Sequence, residues 1–208
     1  NAKFDQPTGL YTFHELKKQL PVFINQGMEG AILLFDVDRL QRINDLLGYM
    51  VGDEVLQLLG QKCHELVGVT FYRGQGGKFY CITTDLDRDK IEWIYQQVKR
   101  FGEEVPREMK LEIQLTISCG VAFFPQDAED FETLHANVEY ALEQAKKDGR
   151  GCIAQFSGKM HRRTVEQFQL QEVLREAIAN EFRGFSLVYR PLIRGEKQQV
   201  YGAETLMR

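Results

Sequence analysis

The sequence predicts an α/β or α+β domain with a mixed β-sheet over about residues 4–157, and three observations lead to this prediction. The nearly continuous apolar run Ala31-Ile-Leu-Leu-Phe35 is typical of a strand that is buried on both faces. Segments with apolar residues at helical spacing alternate with β-type runs along the chain. The turn Gly74-Gln-Gly-Gly77 separates two short β-type runs and therefore indicates a hairpin.

The first half of the chain supplies the first elements of this domain. A helix is predicted over residues 12–25, where Pro21 marks either a kink or a second helix start. The buried strand follows, and then two helices that separate near residues 48–52. Asp53 is placed to cap the second of these helices.

The hairpin is followed by four further elements and a tail. These are an amphipathic helix around residues 91–101, a long β-rich stretch over 110–124, a helix that starts near 131 and ends at Gly149, and a closing strand over 152–156. A charged helix without Gly or Pro, which we interpret as a stiff connector, is predicted over 159–182. Two strands over 185–193 and 199–207 then form a second hairpin. The predicted organisation is a main domain (4–157), a connector (158–183) and a tail (184–208).

Composition and charge exclude several function classes. The 208 residues carry 26 basic and 30 acidic side chains, a net charge of −4 that leaves no basic surface for a nucleic-acid backbone. No apolar run approaches the roughly 18 residues of a membrane span, so we expect no membrane contact in this segment. The four cysteines are far apart, which favours buried free thiols in a reducing compartment over zinc or disulfides. We therefore expect a cytoplasmic piece of a longer protein, whose upstream part could hold a membrane anchor.

Three groups of polar residues could carry chemistry. Asp36 and Asp38 close the buried strand two residues apart, so they could together hold a divalent cation for phosphoryl or nucleotidyl transfer, or else begin a turn. Asn44 and Asp53 offer the donors and acceptors that read the polar edge of guanine; the alternative is helix-end and cap chemistry, for which Asp53 is well suited. Lys146 and Arg150 could hold a triphosphate, or else complete a helix C-terminus with Gly149 at C′.

Taken in order along the chain, these motifs resemble those of the GGDEF, or diguanylate cyclase, family. Asp5-Gln-Pro-Thr-Gly-Leu10 resembles the opening motif, and residues 35–45 with Gly48 and Gly52-Asp53 resemble the metal and guanine segment. Residues 115–121 are similar to the second central strand, and residues 140–150 to the A-K-x-x-G-R ending. The resemblance implies an α+β fold, with a palm-like mixed sheet flanked by helices as in nucleotide cyclases and ferredoxin-like proteins.

The resemblance also implies residue roles. Active members condense two GTP molecules into cyclic di-GMP across a dimer, with two Mg²⁺ ions. By position, Asp36 corresponds to a metal-binding carboxylate, Asn44 and Asp53 to the guanine readers, and Lys146 and Arg150 to the phosphate holders.

The signature itself departs from the family pattern R-x-G-G-[DE]-E-F. Here the segment reads Arg73-Gly-Gln-Gly-Gly-Lys-Phe79: Gln75 replaces the first glycine, Gly77 the metal-binding acid and Lys78 the second glutamate, while Gly76 and Phe79 are kept. The inhibitory R-x-x-D motif is absent from residues 66–69. Because lost and reversed charges near a metal cost several kcal/mol, we expect no catalytic residues, negligible cyclase activity, weakened Mg²⁺ binding, and GTP as a ligand.

One residue of the changed signature, Lys78, supports a more specific hypothesis. Its ammonium could take the place of a metal beside Asp36. The alternative is that Lys78 points to solvent from an exposed hairpin.

The tail resembles the start of an EAL domain, the cyclic di-GMP phosphodiesterase family. Glu204-Thr-Leu206 stands where E-A-L is expected, and Glu204 corresponds to a metal ligand that would act only in an intact EAL domain. We therefore expect a degenerate GGDEF domain that binds GTP and regulates its own downstream EAL phosphodiesterase. An active diguanylate cyclase and a purely structural, dimerising domain are the alternatives, and a homodimer is left open.

Overall fold

The computed structural model describes residues 2–180, 186–194 and 199–207, which form two units, Asn1–Gly158 and Lys159–Arg208. The first unit holds six strands and five helices of the described chain. In order they are β1 Tyr11–Thr12, α1 Phe13–Asn25, β2 Gly30–Val37, α2 Leu40–Leu47, α3 Tyr49–His64, β3 Thr70–Arg73, β4 Lys78–Thr83, α4 Arg88–Glu108, β5 Ile117–Phe124, α5 Phe131–Lys147 and β6 Ile153–Gln155.

The sheet of the first unit is mixed and has the strand order β1-β3-β4-β2-β5-β6. The pairs β1–β3 and β5–β6 are parallel, and the other three pairs are antiparallel. The central strand β2 is buried on both faces, as its apolar run predicts. The predicted α+β fold, a mixed sheet flanked by helices, is confirmed.

Alternating side chains of β2 divide the core into two layers. Leu33 and Phe35 pack with residues of α3 and α4, whereas Ile32 and Leu34 pack with residues of α1 and α5. Since successive strand residues point to opposite faces, Asp36 continues the row that faces α1 and α5. This alternation decides which helix meets the polar end of the strand.

Gly48 ends α2 and begins α3, with a φ of +91° that favours glycine. The predicted capping role of Asp53 is therefore wrong, because α3 starts at Tyr49 and Asp53 lies within its second turn. Pro21 lies inside an uninterrupted α1, which excludes a second helix start there.

The predicted β-rich stretch over 110–124 is too long, because β5 starts only at Ile117. Ile117 pairs with Val37, the last residue of β2, so the chain before it has no neighbouring strand. Leu111, Ile113 and Leu115 nevertheless pack against the core, which explains their apolar alternation.

The cysteines of the first unit are free thiols, as predicted. Cys63, Cys81 and Cys119 are fully buried, and Cys152 is half-buried. Burial raises the pKa of each of these thiols, which favours their protonated form.

The second unit contains α6 Gly158–Ala179, which begins at the boundary residue, and the antiparallel pair β7 Leu187–Arg194 and β8 Gln199–Met207. Glu204 is exposed and lies opposite Arg190 in this pair. The predicted end of the connector (181–183) and parts of the predicted tail (184–185, 195–198 and 208) lie outside the described residues. No helix in the described ranges combines the length and hydropathy that a membrane span requires.

Candidate functional site

Asp36 is the carboxylate at the end of the central strand, and it forms an ion pair with Lys146. Asp36 follows Ile32 and Leu34 on the face of β2 that packs against α5, and α5 carries Lys146 in its last turn. The Lys146 Nζ lies 2.8 Å from the Asp36 Oδ2, and the two side chains are only 20% and 16% exposed. A largely buried ion pair therefore stands where the family resemblance places a metal-binding carboxylate.

Lys78 forms a second ion pair beside the first. It pairs with Asp36 in the β2–β4 register and so lies on the same face, but its Nζ contacts both oxygens of Glu139, at 2.8 and 2.7 Å. Glu139 and Lys146 lie seven residues apart on α5, about two helical turns, and so share one helix face. We call Asp36, Lys78, Glu139 and Lys146 the charge quartet.

Neither sequence-based interpretation of Lys78 is correct. Its ammonium is paired with Glu139 and does not point freely to solvent, and the cation beside Asp36 belongs to Lys146. Tyr80 and His135 extend this cluster: the Tyr80 hydroxyl lies 2.9 Å from the His135 Nε2 and 3.4 Å from a Glu139 oxygen. Burial lowers the pKa of His135, which favours its neutral form in the cluster.

The charge quartet is electrically balanced, since each carboxylate has its own ammonium. Partial burial opposes the charge of Lys146, but hydrogen bonds to Asp36 and Glu143 outweigh this and raise its pKa. Among the described residues, no group of three or more His, Cys, Asp or Glu side chains could hold a metal ion. The residues present at Asp36 therefore do not fit the pair of Mg²⁺ ions that the family resemblance implies.

Gly77 brings the hairpin turn directly against Asp36. Its carbonyl accepts a hydrogen bond from the Val37 N–H at 3.1 Å, and a Cβ added to Gly77 would lie 2.8 Å from the Asp36 Oδ1. A carboxylate side chain at this position would require Asp36 to move. The glycine thus offers no side-chain ligand at this position and allows close contact between the turn and the strand.

Arg73 holds the shape of this turn. Its guanidinium donates hydrogen bonds to the carbonyl oxygens of Gly74, Gly76 and Lys78 and stacks 4.7 Å above the Phe79 ring. Burial lowers the pKa of Arg73, although nearby carboxylates, including Asp36 and Asp53, oppose the shift. Since three of its hydrogen bonds go to carbonyl oxygens of the turn, Arg73 supports the backbone of this segment, where Gln75 is exposed.

Asn44 and Asp53, the predicted guanine readers, lie on the adjoining helices α2 and α3. The Asn44 Oδ1 is buried and has no hydrogen-bond partner within the described part of the chain. It rests directly against Gly52 of α3, where an added Cβ would overlap it. Asp53, the next residue, is exposed. An unsatisfied buried acceptor is costly and unusual, which marks Asn44 as a candidate for ligand contact.

Asp38 has a different role from the predicted one. Its carboxylate, 6% exposed, accepts hydrogen bonds from the hydroxyls of Thr116 and Ser118 at 2.8–2.9 Å and from the Gly151 N–H at 3.2 Å. These bonds tie the end of β2 to β5 and to the loop before β6. The prediction that Asp36 and Asp38 share a cation is therefore wrong, because the two carboxylates have separate partners.

Arg150 closes the C-terminal end of α5. Its N–H donates to the carbonyl of Ala145 at 3.1 Å, and Gly149 occupies the predicted C′ position with a φ of +123°. The Arg150 side chain is exposed and lines a cleft of about 510 Å³ together with Arg39 and Arg42, the residue before α2 and a residue in it. Lys146 thus belongs to the charge quartet, whereas Arg150 lines this cleft.

Sequence reasoning did not identify Glu139, Arg39 or Arg42. Glu139 lies on the same α5 face as Lys146, and its helical spacing from that residue is visible in the sequence. Arg39 and Arg42 lie three positions apart at the start of a predicted helix. Only their convergence with Arg150, more than 100 positions later in the chain, distinguishes them from ordinary surface charges.

Comparison with known families and proteins places this geometry in context. The sequence profile "Diguanylate cyclase, GGDEF domain" matches residues 2–152. The cyclic di-GMP phosphodiesterase NbdA of Pseudomonas aeruginosa is 29% identical over the whole chain, which covers 27% of that protein. The bifunctional diguanylate cyclase/cyclic di-GMP phosphodiesterase MucR of the same organism is 26% identical over 97% of the chain and 30% of its own length. The chain therefore spans between a quarter and a third of these two relatives.

A solved structure shows the same fold. The GGDEF domain of DgcB from Caulobacter crescentus, in complex with c-di-GMP, superposes with a TM-score of 0.63 and 19% identity. The superposition covers 74% of this chain and 96% of that domain.

Proposed function

The chain belongs to the GGDEF family, and on this basis we propose that it binds a guanine nucleotide without converting it to cyclic di-GMP. In this proposal, residues 4–157 form a degenerate GGDEF domain, residues 158–183 a connector, and residues 184–208 the start of an EAL phosphodiesterase domain. The nucleotide-bound domain then acts as a regulatory module for that phosphodiesterase.

The observation that carries the proposal is the 2.8 Å ion pair between Asp36 and Lys146, next to a hairpin turn without a carboxylate. Two GTP molecules can be joined only if the charge that develops on the transferred phosphate is stabilised, and metal ions held by carboxylates do this in phosphoryl transfer. Here a cation at Asp36 would have to displace Lys146 from a largely buried site. Each 1.4 kcal/mol of lost transition-state stabilisation lowers the rate about tenfold, so the loss of metal ligands removes most of the activity.

The guanine side of the site supports nucleotide binding. Asn44 offers an amide donor and an acceptor, and Asp53 offers acceptors for the ring N–H and amino groups of guanine. The Asn44 Oδ1 has no partner among the described residues, but it is buried against Gly52, so the carboxamide would have to turn before the oxygen could contact a nucleotide. A related GGDEF domain, that of DgcB, was solved in complex with c-di-GMP, a guanine dinucleotide.

The similarity to phosphodiesterases supports a downstream EAL domain. The alignment with NbdA continues through residues 153–208, beyond the end of the GGDEF match, and MucR is similar over nearly the same span. Glu204-Thr-Leu206 lies in strand β8 of this segment. We propose that Glu204 becomes a metal ligand only when the remainder of an EAL domain completes its site.

Two measurements test the proposed function. Incubation with GTP and Mg²⁺ or Mn²⁺, followed by mass spectrometry, should yield no cyclic di-GMP at rates normal for an enzyme. Isothermal titration calorimetry should detect GTP binding. Product at such rates would establish the active cyclase instead, and an absence of GTP binding in any buffer would favour the purely structural, dimerising domain.

A paired variant, Gly77→Glu with Lys78→Glu, tests the role of the changed signature. It adds two carboxylates and releases Glu139 from Lys78, so binding of Mn²⁺ should increase relative to the unsubstituted chain. Gln75→Gly is the matched control, because it changes the same turn toward the family pattern without adding charge. Equal Mn²⁺ binding in all three proteins would contradict the proposed reason for inactivity.

A further inference from the structure

Residues 112–116 have the side-chain pattern of a strand, but they pair with no strand of the described chain. Their polar side chains are exposed and their apolar side chains are shielded in strict alternation, which continues into β5. Strand β2 ends at Val37 and β6 begins opposite Cys119, so neither neighbour extends alongside this segment. A free strand edge of this kind can pair with a strand of another molecule. We call residues 112–116 the open edge.

The hydrogen bonds of the adjoining chain show which way the backbone of the open edge points. The Thr116 carbonyl accepts from the Asp38 N–H at 2.9 Å on the β2 side, whereas the Cys119 N–H donates at 2.9 Å to the residue before β6. Because backbone groups of a strand point to alternate sides, those of Ile113 and Leu115 point to the β6 side. Within the described chain neither residue forms a backbone hydrogen bond, so both can pair with a further strand.

The open edge is complementary to a second copy of itself in antiparallel orientation. With a two-fold axis at Gln114, the backbone of Ile113 exchanges hydrogen bonds with that of the partner's Leu115, and the symmetry repeats this contact. Glu112 then lies opposite the partner's Thr116, and Gln114 lies opposite the partner's Gln114. No like charges face each other in this register, and like charges directly opposite would destabilise it.

A cleft of about 420 Å³ adjoins the open edge and leaves room for a second strand. Glu103, Pro106 and Arg107 of α4 line it together with residues 113–116. Glu103 and Arg107 are exposed, and neither has an ion-pair partner among the residues that the structure describes. A two-fold interface repeats this rim, so the acid of each copy gains a base on the other. The charge around the open edge therefore also favours a second copy as its partner.

We propose that the open edge is a self-association surface, through which two copies of the chain pair as antiparallel strands and join their sheets. Five residues on each side bury less than the roughly 1,200–2,000 Å² of a stable interface, so the pairing is weak, with a Kd of about 10 µM to 1 mM. It requires neither a nucleotide nor the charge quartet, so it is independent of the proposed function.

The first test locates the association of the whole chain. Sedimentation velocity at about 10 µM and about 1 mM should show a dimer that increases with concentration. Amide hydrogen exchange, measured by NMR at the same two concentrations, should slow about twofold or more at Ile113 and Leu115 in the concentrated sample. Exchange at Glu112 and Gln114 should not change, because their N–H groups point to the other side of the segment.

Charge substitutions at Gln114 are the second test, because this exposed side chain lies on the proposed axis. Gln114→Lys and Gln114→Glu each place like charges opposite one another and should weaken self-association about threefold. A mixture of the two variants should associate more strongly than either variant alone. The same two substitutions at Gln75, an exposed glutamine in the turn between β3 and β4, are the matched control and should leave association unchanged.

Three results would overturn the proposal. The first is a chain that stays monomeric in the concentrated sample. The second is self-association without the alternating protection of residues 112–115, which would place the contact elsewhere on the chain. The third is a mixture of the Gln114 variants that associates no more strongly than its components. None of these results bears on GTP binding, which the calorimetric titration tests separately.

Discussion

A double-mutant cycle on the Asp36–Lys146 ion pair tests the central feature of the site. The single variants are Asp36→Asn and Lys146→Met, and the double variant removes both charges. Lys146→Met should be the more destabilising single change, because it leaves Asp36 largely buried without its ammonium. Asp36→Asn should be milder, since Lys146 keeps its contact with Glu143 at 3.0 Å.

The expected coupling follows from the geometry of the pair. Two unit charges about 4 Å apart interact by roughly 4 kcal/mol at an effective dielectric constant of about 20. The side chains are 16% and 20% exposed, so solvent screens part of this attraction. We therefore expect a coupling free energy of about 1–3 kcal/mol, within the range typical of residues in contact. Lys146→Met alone should lower the free energy of unfolding by about 3 kcal/mol, which is typical when one partner of a largely buried ion pair is removed.

The assay is urea unfolding at pH 7, followed by fluorescence of Trp93, the single tryptophan, which lies on α4. The matched control cycle uses Lys17 and Glu132, whose charged atoms lie 3.3 Å apart and whose side chains are 46% and 78% exposed. An exposed pair of this kind should couple by about 0.2–1 kcal/mol. A coupling for Asp36 and Lys146 no larger than that of the control would refute the assignment of the pair.

Three further predictions concern packing, base recognition and pH. Gly120→Ala should destabilise the chain by at least 1–3 kcal/mol in urea unfolding, because the new Cβ would collide with the α5 backbone at Leu142; an unchanged midpoint would contradict this close approach. Gly52→Ala should displace the Asn44 carboxamide and weaken GTP binding in calorimetry about tenfold. Tripolyphosphate binding should not change, and equal losses for both probes would argue against base contact by Asn44. His135 has a lowered pKa, so its contribution to stability is present above its ordinary value of 6.5 and is lost as the pH falls through the folded-state value. The melting temperature should therefore fall less between pH 7 and pH 5 in His135→Gln than in the unsubstituted chain, and parallel profiles would refute this.

Local patterns in the sequence were sufficient to predict most elements of the first unit. The apolar run of β2, the glycine turn between β3 and β4, and the apolar spacing of α4 and α5 each depend on a few neighbouring residues. The absence of a carboxylate from residues 73–79 is likewise visible without coordinates. Such features are local because backbone geometry and side-chain alternation repeat over two to four residues.

The errors arose where a residue's role depends on a distant partner. Aspartate is a common N-cap residue, but α3 begins earlier, directly after Gly48, whose φ is +91°. The alternation over 110–116 is real, yet β2 ends at Val37 and leaves this segment without a strand to pair with. Asp38 was grouped with Asp36 by spacing, whereas hydroxyls from β5 hold it in a separate network.

The family, the fold class and the absence of carboxylates from residues 73–79 follow from the amino-acid sequence. Which ammonium neutralises which carboxylate depends on how the chain packs: Lys146 meets Asp36 across 110 positions, and Lys78 meets Glu139 across 61. Packing also brings Arg39, Arg42 and Arg150 into one cleft. The physical reason is that charge pairing depends on distances of a few ångströms in space, and these are set by the packing of α2 and α5 around the sheet.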